Sequence, residues 1–114
     1  MITTTTADAH RYIREGEAFR THGALRGEAA GYLRTIGWMP PGVLAILDQD
    51  LAEGVDYIVY SYDTAIAWRL ESGTWRVPAH NYSPTTATHQ WQISAALEGM
   101  RGVDWACELE FATA

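Results

Sequence analysis

Residues 57–78, YIVYSYDTAIAWRLESGTWRVP, decide the fold. They hold three runs rich in β-branched and aromatic residues, Tyr57 to Tyr62, Ala65 to Leu70 and Thr74 to Val77, separated by Asp63-Thr64 and by Glu71-Ser72-Gly73. Such side chains fit a pleated surface, and turns this short join only antiparallel neighbours, so the stretch reads as a three-stranded meander. Pro78 closes the third strand because it has no N–H to give to the ladder.

Working outward, Pro40-Pro41-Gly42 breaks the chain and opens a helix over residues 41–53, since proline is tolerated where a helix N–H has no partner. Val43, Leu44, Leu47 and Leu51 fall on one face of it, Asp48, Asp50 and Glu53 are expected to turn outward, and Gly54 ends it. Downstream, Ser83 as N-cap and Pro84 at the first helical position predict a helix over 84–98. Ile93, Ala96, Leu97 and Met100 share its apolar face, with His89 one turn before Ile93. Val103, Trp105, Cys107, Leu109 and Phe111 then alternate with polar or small residues, the pattern of a half-buried strand over 103–111.

Toward the N-terminus the signals are shorter. Residues 1–6 read as a frayed, threonine-rich leader, with Thr6 capping a helix from Ala7 to Glu15 that Gly16 terminates. The segment from Glu17 to Glu28 reads as two short extended pieces around a turn. The expected architecture is α+β within one domain, 1–114: a small antiparallel sheet, meander 57–78 plus strand 103–111, with helices 41–53 and 84–98 packed on one face. Strand 103–111 at a sheet edge would leave backbone free to pair with a second copy, which allows a homodimer.

Composition sets the function classes. A chain of 114 residues, 47% hydrophobic and 19% charged, is long enough for one packed core. Five Trp, six Tyr and two Phe give it large, stiff side chains, some for that core and some for surface anchoring. A formal charge of −6 opposes contact with nucleic acid and anionic membranes. All eight basic residues are Arg, a bias of GC-rich codon usage. The lone Cys107 forms no intrachain disulfide, no apolar run reaches the about 18 residues of a membrane helix, and the start MITTTTADAH has no signal-peptide pattern. The expected compartment is the cytoplasm.

Chemistry-bearing residues concentrate between Tyr60 and Gln90. The candidate binding set is Tyr60, Tyr62, Tyr82, Ser83, Thr85, Thr86, His89 and Gln90. Its plainest reading is strand tyrosines plus the cap of a helix, with His89 held by a hydroxyl or carbonyl from the meander. The sharper reading is a small-anion or hydrolytic site at the helix start, where backbone N–H groups favour an anion. No catalytic triad is recognisable, because no glycine-flanked serine elbow is present and no acid has a predictable place beside His89. No metal is expected from His10, His22, His80 and His89, which lack ligand spacing, and no nucleotide cofactor from glycines that form neither phosphate-binding pattern. Trp68, Trp75, Arg69 and Arg76 are the residues that would stack and hold single-stranded nucleic acid, against fourteen acidic residues.

Two signatures stand together: V-Y-S-Y-x-T-x-I-A-W at Val59 to Trp68 and Y-S-x-T-T-x-x-H-Q at Tyr82 to Gln90, joined by G-x-W-x-V-P at Gly73 to Pro78 and preceded by F-R-x-x-G-A-L-R-G at Phe19 to Gly27. With them the chain resembles a family of small actinobacteriophage proteins of the mycobacteriophage type. It departs from that pattern at Ala65, where proline is common, and at Ala87, where serine is common; the lost hydroxyl weakens a catalytic role for the second signature. The resemblance implies an infected bacterial cell as the setting and carries no activity. Taken with the aromatic content, it leads to an expected phage accessory protein, not an enzyme, that binds a host or phage protein.

Overall fold

The computed structural model describes residues 2–29, 40–62, 64–78 and 84–105, with only the backbone for 84–87. In chain order the elements are β1 (Ile2–Thr4), a 3-10 turn (Thr6–Asp8), α1 (Ala9–Glu15), β2 (Phe19–Thr21), β3 (Leu25–Ala29), α2 (Pro41–Glu53), β4 (Val55–Ser61), β5 (Thr64–Leu70), β6 (Trp75–Val77), α3 (Pro84–Leu97) and β7 (Val103–Trp105). The protein is α+β. The seven strands of the described residues form one sheet in the order of the chain.

Most neighbours are antiparallel, from β2 through β6. The two outermost pairs are parallel, β1 with β2 and β6 with β7. Parallel neighbours need a crossover, and α1 and α3 supply the two. Strands β1 and β6 point the same way and each steps to its neighbour in the same direction along the sheet. Crossovers of one hand therefore put both helices on one face. Arg14 at the end of α1 reinforces that pairing by donating to the carbonyls of Ala96 and Glu98, at 3.0 and 3.3 Å, where α3 runs out of its own donors.

This topology divides the helices. α1 and α3 pack Ile13, Ile93 and Leu97 against Phe19, Tyr57 and Trp75. α2 covers the opposite face, with Val43 and Leu47 on Ile58, Tyr60 and Trp68. The expectation that helices 41–53 and 84–98 share a face is thus corrected: α3 joins parallel strands and must lie with α1, which leaves the other side of the central strands to α2. Strand β4 is buried on both faces as a result, and its run of apolar and aromatic residues reflects that.

Two local expectations also change. Residues 2–4, read as part of a frayed leader, form β1 and pair with Phe19 to Thr21. The first cap is Thr5, whose hydroxyl accepts from Asp8 N–H at 3.2 Å, with α1 starting at Ala9 and ending at left-handed Gly16. The 17–28 segment does form two short strands around a turn, and the last strand is seen as far as Trp105; residues 106–111, Cys107 among them, lie outside the described residues. Among the described residues no helix is long and apolar enough to cross a membrane.

Candidate functional site

The polar positions singled out between Tyr60 and Gln90 meet at the end of β4, and the pleat sorts them. Tyr60 is buried among the α2-side residues, whereas Ser61, next along the strand, turns to the α3 side. There Ser61 Oγ lies 2.6 Å from His89 Nδ1. His89 is 5% exposed and Ser61 is buried. The hydroxyl brought in by the meander is therefore the partner of this histidine. Burial lowers the His89 pKa from its ordinary value, because the imidazolium would lose its hydration.

Tyr62 follows in the turn. Ser61 and Thr64 are paired across it, so only residues 62 and 63 join β4 to β5. A loop that short takes a left-handed backbone at its first position, and Tyr62 has φ 56°. Its N–H donates to Ala24 O at 3.1 Å and its carbonyl accepts from Arg26 Nη1 at 2.6 Å. The Arg26 guanidinium also lies 4.3 Å from the centroid of the Tyr60 ring, and its Nε is 3.4 Å from Glu28. Held this way, Tyr62 is 57% exposed and its ring stands 6.3 Å from the His89 ring at 46°.

The candidate set is only partly brought together. His89 and Tyr62 adjoin one another with Ser61, a residue the sequence reading passed over although it sits inside the first signature. Tyr60 belongs to the other face of the sheet. Gln90 is half-buried beside His89 in the chain. Tyr82 and Ser83 lie outside the described residues, and so do the side chains of Thr85 and Thr86, whose backbone forms the first turn of α3.

A second polar cluster occupies the α2 face. Asp50, expected to turn outward, is 3% exposed. Its Oδ2 accepts from the Trp68 indole N–H at 2.7 Å and from Arg76 Nε at 3.0 Å. Arg76 Nη1 reaches Asp104 of β7 at 2.8 Å. The Asp50 hydrogen bond is the main cause that raises the Arg76 pKa. This chain of contacts ties α2 to β5, β6 and the edge strand. Its spacing was visible, since Asp50 follows Val43 and Leu47 by seven and three residues on one helical face; its charge argued the other way.

These contacts limit the chemistry. The Ser61–His89 pair resembles half of a nucleophilic constellation, but both members are shielded from solvent and burial, not an acid, sets the proton affinity of the imidazole. Among the described residues no group of three or more His, Cys, Asp or Glu could hold a metal ion. Trp68 and Trp75 are buried, one in each core, and present no open ring face on which single-stranded bases could stack. Their neighbours Arg69 and Arg76 are engaged by Asp56 and Asp50. Among the described residues the exposed large hydrophobic side chains are Tyr62, Trp91 at 67% and Trp105 at 46%.

Residues 44–107, more than half of the chain, match the model of a protein family described as a family of unknown function (DUF8033). No curated protein and no solved structure matches the chain.

Proposed function

We propose a protein-binding role for this chain, which belongs to the DUF8033 family of unknown function. The observation that carries the reading is Trp91, 67% exposed in the middle of α3 while His89 and Ile93 on either side of it in sequence are buried. A helix so firmly seated by one face presents its other face rigidly, and a rigid Trp loses little side-chain entropy when a partner covers it. Tyr62 and Trp105 add two further exposed rings. The actinobacteriophage resemblance supplies the setting: a host or phage protein met in the cytoplasm of an infected cell.

The test is affinity capture from an actinobacterial lysate with the wild-type chain and with Trp91→Ser. A protein retained saturably by the wild type and lost with the variant, at unchanged melting temperature, supports the reading. Absence of any saturable partner, or equal retention by both, overturns it.

A second reading keeps the start of α3 as a small-ligand site, favoured by the close Ser61–His89 contact. It predicts that some phosphate, nucleotide or carboxylate raises the melting temperature by linkage and that His89→Ala abolishes the gain. A buried, neutral imidazole offers an anion no charge, which is why the protein-binding reading is preferred.

A further inference from the structure

We infer that Tyr62 is a cation-binding contact, its exposed ring receiving an arginine or lysine side chain of a basic protein partner. The inference rests on the protein-binding reading above for the class of partner and goes further in naming the partner's chemistry.

The backbone provides the first ground. Tyr62 is the one non-glycine residue with positive φ among the described residues. A bulky residue in the left-handed region is uncommon and costs free energy that Asn or Gly would avoid at the same place. The cost is borne by a built environment: the Tyr62 N–H and carbonyl are fixed by Ala24 and Arg26, and Ser61 and Thr64 pair across the turn. Strain of this kind, held at an exposed position, points to a role for the side chain that the turn itself does not need.

The ring's surroundings provide the second. The Tyr62 ring is presented to solvent with the buried, uncharged His89 ring at its side. Arg26, which meets the turn at the Tyr62 carbonyl, is itself held by the Tyr60 ring and Glu28. The chain as a whole carries −6. An aromatic face attracts a cation through its quadrupole, and a net negative chain draws basic partners toward it.

The experiment titrates the labelled protein with a peptide of alternating arginine and glycine, and with the matching glutamate–glycine peptide, following the Tyr62 ring and the indole resonances by NMR. The arginine peptide should shift the Tyr62 ring saturably, less so as salt is added, while the glutamate peptide leaves it unmoved. Tyr62→Phe should keep the affinity. Tyr62→Asn should weaken it about three- to fivefold, the scale of one exposed cation–π contact, and raise the melting temperature by relieving the left-handed tyrosine. Absence of a saturable Tyr62 shift, undiminished affinity in Tyr62→Asn, or an unchanged melting temperature in that variant overturns the inference. Shifts confined to Trp91 and Trp105 also overturn it, and they leave the protein-binding reading in place.

Discussion

Ser61 Oγ and His89 Nδ1 are 2.6 Å apart where β4 meets α3, and this contact joins the central strand to the helix that carries Trp91. Removing either partner leaves a buried polar group without it. Ser61→Ala and His89→Ala are each expected to cost about 1–3 kcal/mol in chemical denaturation. The double variant should cost less than the sum, since the second change removes a group that has already lost this contact. Strict additivity would show that the contact contributes nothing.

The same histidine sets an acid limit. Its pKa is lowered in the folded protein, so between that value and the unfolded value of about 6.5 the unfolded chain binds the proton more readily. Stability from this group is fully present above pH about 6.5 and is lost as pH falls, by up to about 1.4 kcal/mol per pH unit. His89→Gln should flatten the stability profile between neutral and mildly acid pH relative to the wild type. Equal slopes in the two proteins would contradict the assignment.

On the opposite face the three members of the ionic cluster should rank by what each leaves behind, a buried charge costing more than a buried neutral donor and that more than an exposed contact. Arg76→Ala leaves the buried Asp50 carboxylate with Trp68 as its remaining partner in the cluster, a loss on the order of 3 kcal/mol or more. Asp50→Ala removes the buried charge and orphans the Trp68 N–H, a loss of about 1–3 kcal/mol. Asp104 is partly exposed, and Asp104→Ala should cost less than about 1 kcal/mol. Urea midpoints of the three variants give the order directly, and a largest loss at Asp104 would refute it.

Gly27 lies where β3 crosses the α1 and α3 core. A methyl group there would meet the Tyr57 hydroxyl and sit 2.6 Å from Phe19 Cε1, and both rings are buried. Tyr57 cannot swing away freely, because its hydroxyl donates to Glu17 O at 2.8 Å. Gly27→Ala should therefore destabilise by about 1–3 kcal/mol through overpacking, although the position lies within a strand where alanine would otherwise be tolerated. A neutral result in thermal denaturation would show that the rings move aside.

Much of this architecture is legible in the sequence. The β-branched and aromatic runs from Tyr57 to Val77, Pro41 and Pro84 as helix openers, and Gly16 and Gly54 as stops are local signals, and they located β4 to β6 and the three helices of the described residues. What local signals do not carry is the partner across the sheet. Thr3 is a strand residue because Arg20 pairs with it, and Asp50 is inside because Trp68 and Arg76 wait there. The same holds for the candidate site: His89 was placed correctly on its helix face, while Ser61 gained its importance only from the register that aims it at α3. Tyr62 was unreadable for a different reason, since a tyrosine carries no signature of left-handed backbone and the Tyr-Asp turn lacks the glycine that normally marks one.

Protein binding through the exposed aromatics is the central claim, and fluorine NMR on 5-fluorotryptophan protein tests it most directly, with a dissolved paramagnet, free and in complex with the captured partner. In the free chain the paramagnet should broaden Trp91 and Trp105 and spare buried Trp68 and Trp75. In the complex the Trp91 signal should sharpen as the partner shields it. A partner bound to saturation while Trp91 stays fully broadened would contradict the account.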